Sequence, residues 1–203
     1  MKPSLIGPAG MLANTLTAKL ASKDRWKLLF CGAPGIGKTC LAESLALDLC
    51  GNKWGVETVN GRNVTIHVVR DWAFDFATSS IFGTGWKVKV VNEVDLCQKD
   101  AQDALLSFLD EMPAGRAFIG TSNLDKAALT ERFRTRFERY EIAAPSAGQI
   151  AKLLENEGTP EAIARQIATL SGGNVRAALL DAEAWRNQNQ EVIQTIYQSE
   201  MAV

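Results

Sequence analysis

The sequence predicts an α/β fold: a three-layer α/β/α core built on a parallel sheet, followed by a small all-helical domain. Three observations carry this. Short apolar runs at Trp26–Cys31, Val88–Val91 and Ala117–Gly120 alternate with helical patterns, as the strands of a parallel sheet joined by crossover helices do. The first run passes through a glycine-rich octapeptide into a stretch with leucine at 41, 45 and 49, which reads as strand, loop and helix. At Pro145 the strand-like runs stop and helix-start signals take over, dividing the chain into an expected core, 1–145, and an expected helical lid, 146–203.

Taken in order, Trp26–Cys31 is the first strand and Cys40–Cys50 the helix after the glycine loop. Thr65–Val69 (TIHVV) reads as a second strand, because β-branched residues favour a pleated surface. Residues 71–86 (DWAFDFATSSIFGTGW), rich in Ser, Gly and Thr, read as an exposed loop. Val88–Val91 is a third strand, and Ala101, Ala104, Leu105, Phe108, Leu109 and Met112 recur at helical spacing behind it. Ala117–Gly120 is a fourth strand, ending at Thr121-Ser122-Asn123, and Tyr140–Ala143 a fifth. In the lid, Ser146 and Gln149 have capping-box spacing, Thr159-Pro160 opens a second helix, and Gly172-Gly173-Asn174 separates it from a third.

Composition bounds the function. With 46% hydrophobic and 22% charged residues among 203, the chain reads as an ordinary globular protein. A net charge of -1 supplies no global field toward nucleic acid or an anionic membrane, so any DNA contact must be local. Cys31, Cys40, Cys50 and Cys97 show no CxxC spacing, Cys31 and Cys40 lie in apolar runs where a thiol serves as a small hydrophobe, and a reduced cytosol is expected. No apolar run approaches the roughly 20 residues that span a bilayer, so no membrane role is expected.

The octapeptide Gly32-Ala33-Pro34-Gly35-Ile36-Gly37-Lys38-Thr39, followed by Cys40, is the expected nucleotide-binding segment. Glycines leave room for backbone N–H groups to converge on phosphate oxygens, and the next helix adds the positive end of its dipole. Lys38 can reach the β- and γ-phosphates of ATP, and the Thr39 hydroxyl can ligate Mg²⁺. A second strand must then end beside the phosphates with carboxylates. Val88-Lys89-Val90-Val91-Asn92-Glu93-Val94-Asp95 is the candidate, with Glu93 as the base acting on water and Asn92 at the metal-facing position. Asn92 brings a carbonyl but no charge, so weaker metal affinity or slower turnover is expected; Asp95 either compensates in part or caps the following helix.

In this order of motifs the chain resembles the clamp-loader and helicase-loader branch of the AAA+ ATPases over nearly its whole length. The resemblance implies that Asn123 is the sensor amide at the end of the next strand, where a turn former after a strand is the plainer alternative. It also implies that one arginine of Leu129-Thr130-Glu131-Arg132-Phe133-Arg134-Thr135-Arg136-Phe137 is a finger delivered to a neighbour's ATP. Arg136 stands where the family's Ser-Arg-Cys arginine falls, Arg132 is second, and a solvated charged edge is the plainer alternative. Gly173-Asn174-Val175-Arg176 resembles the second sensor. Asn174 as N-cap would put Arg176 in a first helical turn, where the dipole disfavours a cation unless an anion is near. The implied assembly is a homo-oligomeric ring or spiral using ATP and Mg²⁺. Its implied setting is DNA replication, or plasmid, phage or mobile-element transactions, with DNA or a DNA-bound protein as client. Two alternatives stay open: a nucleotide-gated scaffold with little hydrolysis, and a protein-remodelling motor gripping with Trp72, Phe74, Phe76, Phe82 and Trp86, side chains whose plainer reading is buried core or subunit interface. His67, the only histidine, reads as a strand side chain.

Overall fold

The computed structural model describes residues 5–20, 24–78, 83–123 and 129–200, with side chains to residue 188. The chain folds as two units, 1–143 and 144–203.

The first unit is a five-stranded sheet in the order β2-β3-β4-β1-β5, with β1 Arg25–Cys31, β2 Val56–Asn60, β3 Lys87–Asn92, β4 Arg116–Ser122 and β5 Glu138–Glu141. Every pairing is parallel, with Leu28 opposite Ile119 and Asn60 opposite Asn92 among the partners. Successive strand residues point to opposite faces, and the core divides accordingly. Leu28, Phe30, Val88, Val90, Ala117 and Ile119 face α1 (Gly7–Lys19) and α2 (Lys38–Cys50). Leu29, Cys31, Val91 and Phe118 face α3 (Ile66–Ala77), α4 (Lys99–Asp110) and α5 (Glu131–Arg134). Helices on both faces give the three layers expected from the sequence. Among the described residues no helix is long and apolar enough to cross a membrane.

Three expectations need correction. Thr65–Val69 is not a strand: the Thr65 hydroxyl accepts the Val68 N–H at 3.3 Å and caps α3. Val69, Trp72 and Phe76 recur at helical spacing and are buried on that helix, with Trp72 and Phe76 against Phe108. Burial of this stripe outweighs the β-propensity of a five-residue run. His67 is therefore an exposed helical side chain, beside Asp71 at 3.5 Å. Nor are residues 71–86 an exposed loop, since 71–77 complete α3. Of the aromatics there, Trp72 and Phe76 are core residues, as their plainer reading had it, Trp86 packs half-buried against the core, Phe74 is exposed, and Phe82 lies outside the described residues. The second strand is instead β2, and a helix, α1, precedes the first strand.

Beneath α3 is a partly buried polar cluster. Lys89, 5% exposed, bonds Glu57 and, at 2.8 Å, Asp75, which also accepts from Lys87 at 2.7 Å. Buried Arg116 donates to the carbonyls of Phe76 and Thr78 at 2.9 and 2.8 Å, tying the end of α3 to β4. Burial pushes the thiol of Cys50 up to about 11. Burial and the charge of Asp95 push Cys97 to about 12. Both are neutral space-fillers at pH 7.

The second unit has three helices: α6 (Ala147–Asn156), α7 (Glu161–Leu170) and α8 (Val175–Glu200). The capping box forms, with Gln149 N–H donating to Ser146 Oγ at 3.3 Å and Ser146 N–H to Gln149 Oε1 at 3.0 Å. Asn174 Oδ1 accepts the Ala177 N–H at 3.1 Å, which places Arg176 in the first turn of α8.

Candidate nucleotide-binding site

In a parallel sheet, ligands bind beyond the C-terminal ends of the strands. The proposed site residues of the first unit, other than the arginines, come together there. β1 runs from Cys31 into Gly32, whose N–H donates to Ser122 O at 3.3 Å, while Ile142 N–H donates to Cys31 O at 2.8 Å. The loop is thus pinned between β4 and the segment after β5. A β-carbon on Gly32 would come within 2.6 Å of Ile142 O and 2.5 Å of Ile36 Cδ1, so no side chain fits. Ile36, 3% exposed, anchors the loop in the core, whereas Pro34 is exposed and Gly35 and Cys40 are half-buried.

Gly37 caps α2 with φ of 100°, a backbone conformation open to glycine. No side chain caps this helix, whose first turn begins at Lys38 with the positive end of the helix dipole toward the loop. Lys38 is buried, its ammonium donating to Gly32 O at 2.9 Å and Ala33 O at 2.7 Å. The cation is therefore held over the loop it would share with phosphate. Thr39 follows it, half-buried.

Two strands away, β3 ends at Asn92 and the chain turns through Glu93. Glu93 has φ 55°, the one non-glycine residue with positive φ among the described residues. That conformation costs on the order of 1 kcal/mol and persists where surrounding contacts over-determine it. Here they are four. Glu93 N–H donates to Thr121 Oγ1 at 3.1 Å, and that hydroxyl donates to Asn92 Oδ1 at 3.4 Å. Asn60 Nδ2 donates to Glu93 Oε2 at 3.0 Å, and Asn123 Nδ2 approaches Oε1 at 3.5 Å. The tips of β2, β3 and β4 thereby converge on one carboxylate.

The donor set fits a nucleotide with its metal. A loop of backbone N–H groups, one ammonium and one hydroxyl suits a triphosphate. Among the described residues no group of three or more His, Cys, Asp or Glu could hold a metal ion by itself. A Mg²⁺ ion here would rest chiefly on the phosphates, with Thr39 and Asn92 beside it. Asp95 lies in a short turn, Val94–Leu96, with its Oδ1 buried and without a hydrogen-bond partner.

Arg136 is elsewhere. Its Nε and Nη2 donate to Asp110 Oδ1 and Oδ2 at 2.8 and 3.0 Å. Asp110 ends α4, which leaves the sheet's C-terminal edge after β3 and returns to the opposite one, where Arg25 Nη1 donates to Met112 O at 2.9 Å. From Arg25 to Gly32 is seven residues of strand, about 23 Å at the usual rise. Arg136 is therefore at the far edge from its own phosphate loop. Phe133, fully buried, and Phe137, tilted against it with ring centroids 5.0 Å apart, anchor the segment. Arg132 is exposed beside them, and Arg134 is half-buried with its Nε unpaired. Arg176 belongs to the second unit and is exposed.

Sequence reasoning missed Asn60, Thr121 and Asp110. The alternation Val56-Glu57-Thr58-Val59-Asn60 between two glycines was the available signal for β2, and hence for Asn60 at its tip. Nothing local marks Asp110.

Comparison with known proteins places these features in a family. The family described as "ATPase family associated with various cellular activities (AAA)" matches residues 28–144. Replication factor C small subunit of Halobacterium salinarum is 30% identical over 154 residues, covering 72% of this chain and 48% of that protein. Replication factor C subunit 3 of Blastobotrys adeninivorans is 32% identical over 163 residues, covering 75% and 48%. This chain thus spans about half the length of these relatives. Among solved structures, a RuvB variant from Thermotoga maritima superposes with a TM-score of 0.77 at 20% identity, covering 95% of this chain and 68% of that one. A protein related to the DNA polymerase III gamma subunit, also from Thermotoga maritima, gives 0.61 at 16%, covering 83% and 57%. At such identities the likeness is one of fold. The family match and the replication factor C relatives carry the assignment: the chain belongs to the AAA family of ATPases, in the clamp-loader-like branch that its motifs resemble.

Proposed function

We propose that this chain binds ATP with Mg²⁺ at the Gly32–Thr39 loop and hydrolyses it at the boundary between copies of itself, as a switch acting on DNA. One observation carries the reading: Lys38 and Glu93 lie at one edge of the sheet, and Arg136 at the other. Such a chain holds an acceptor half-site and a donor half-site that cannot meet within it, but can meet across a head-to-tail interface. Lys38 holds the β- and γ-phosphates. Thr39 and Asn92 stand at the metal. Glu93 takes a proton as water attacks the γ-phosphorus, the bond to the β,γ-bridging oxygen breaks, and ADP and phosphate leave. Asn123 orients the attack, Arg176 is a further phosphate ligand, and a neighbour's Arg136 neutralises charge on the transferring group, with Arg132 as the second candidate.

The DNA setting, in replication or in plasmid, phage or mobile-element transactions, is supported by similarity to replication factor C proteins over about half their length. A cytoplasmic homo-oligomer, ring or spiral, with DNA or a DNA-bound protein as client completes the reading.

The test is complementation between two inactive chains. Lys38→Ala removes the acceptor half-site and Arg136→Ala the donor half-site; each alone should be inactive, and their mixture should regain part of the turnover. DNA should stimulate it. Full activity of Arg136→Ala at every protein concentration would defeat the reading. A second reading, a nucleotide-gated scaffold, is favoured by Asn92, which lacks the charge of a metal-holding carboxylate; ATP binding without turnover in the parent chain would select it.

A further inference from the structure

The Arg136 guanidinium has five N–H donors in a rigid plane, enough to serve two anions along two edges. Asp110 takes one edge, through Nε and Nη2, at 2.8 and 3.0 Å. Along the other edge Nη1 has only long contacts, 3.4 Å to Arg132 O and to Thr135 Oγ1. Arg136 keeps 32% of its side chain exposed and Asp110 48%, so the pair lies at the surface. An arginine side chain has several soft torsions, and a surface ion pair made at one nitrogen fixes few of them. A bidentate pair fixes the plane. Its anchor is itself fixed: Asp110 ends a helix whose Leu105 and Leu109 are fully buried.

We infer that Asp110 is a positioning residue for the finger: it holds Arg136 by its Nε/Nη2 edge and presents the Nη1/Nη2 edge to the γ-phosphate bound by the next copy. This rests on the proposed reading of Arg136 as the finger and adds the group that aims it. The carboxylate is not displaced when copies assemble, and it touches neither nucleotide nor water in the reaction. It acts by limiting where the guanidinium can be when the neighbouring phosphate arrives, which is a contribution to orientation rather than to charge. A latch that had to open would predict the opposite sign, because releasing it would raise activity.

The experiment places the substitution in the donor chain only. Mix Arg136→Ala, which keeps the acceptor half-site, with Lys38→Ala, which keeps the donor half-site, and compare this with Arg136→Ala mixed with Lys38→Ala/Asp110→Ala. At saturating protein the second mixture should show kcat lowered about three- to ten-fold, with KM for ATP within about twofold. Asp110→Asn should resemble Asp110→Ala, and Asp110→Glu should recover most of the activity. Thermal melting of each variant separates misfolding from misaiming. Unchanged or raised kcat in the Asp110→Ala donor, with the Arg136→Ala/Lys38→Ala mixture active, overturns the positioning role and leaves the finger standing. Full activity of Arg136→Ala by itself overturns both. A loss that follows Asp110→Ala equally into the acceptor chain also overturns the inference, since it would report damage to the fold.

Discussion

Asn60 Nδ2 donates to Glu93 Oε2 at 3.0 Å, so the tip of the edge strand restrains the carboxylate proposed as the base. The parallel register that sets Asn60 opposite Asn92 makes this contact, one residue beyond the pair. Asn60→Ala should lower turnover about three- to ten-fold and leave ATP affinity within about twofold, because orientation is lost but no phosphate contact is. Turnover of Asn60→Ala that matches the parent's removes the functional role of this bond.

Glu93→Gln keeps the shape and the capacity to accept a hydrogen bond, but cannot take a proton. Turnover should fall by at least about 10²-fold, the usual size of a general-base contribution, with ATP binding retained. Titration with a fluorescent ATP analogue beside a phosphate-release assay checks both. A loss of binding equal to the loss of turnover would mean that Glu93 holds ligand instead.

Asn92→Asp adds a charge where the metal is expected and retains an oxygen for the Thr121 hydroxyl, which donates to Asn92 Oδ1 at 3.4 Å. The half-saturating Mg²⁺ concentration should fall and turnover should rise several-fold, on the order of 1 kcal/mol of added metal interaction at a partly solvated site. An unchanged Mg²⁺ requirement would place the metal away from this strand.

Arg176→Ala tests the lid. If Arg176 contacts the phosphates through a charge-assisted bond, its loss should weaken ATP affinity about tenfold. Unchanged affinity by isothermal titration leaves it a surface arginine of the first turn of α8.

Stability should depend on Asp75. Partial burial raises its pKa, but the bonds from Lys87 and Lys89 outweigh this and hold it below the ordinary carboxylate value. A depressed folded-state pKa contributes stability that is fully present above the unfolded value, about 3.9, and is lost as pH falls through the folded value. With its side chain 40% exposed, the carboxylate is screened, so about 1 kcal/mol is the expected size. Asp75→Asn should lower the urea midpoint at pH 7, and the difference from the parent should shrink below pH 4. A difference that is constant with pH would show that packing, not charge, is lost.

The sequence by itself determined the features whose causes lie within a few residues. The Gly32–Thr39 loop between β1 and α2 is legible because glycine geometry and a helix start are local. The Ser146–Gln149 capping box is legible for the same reason. So are the ends of β3 and β4, where Asn92, Glu93 and Asn123 stand, because buried parallel strands write themselves as continuous apolar runs. Only the tertiary structure decided the rest. Whether residues 66–77 were strand or helix was settled by what Val69, Trp72 and Phe76 could bury against, including Phe108 and Phe118 far along the chain. Asn60 meets Glu93 because two strands share a register. Asp110 meets Arg136 because α4 crosses the sheet from one edge to the other, and it is this crossing that parts Arg136 from the Gly32–Thr39 loop. Local signals fix what a segment can be; contacts between distant segments fix which surface buries it and which partner a side chain finds.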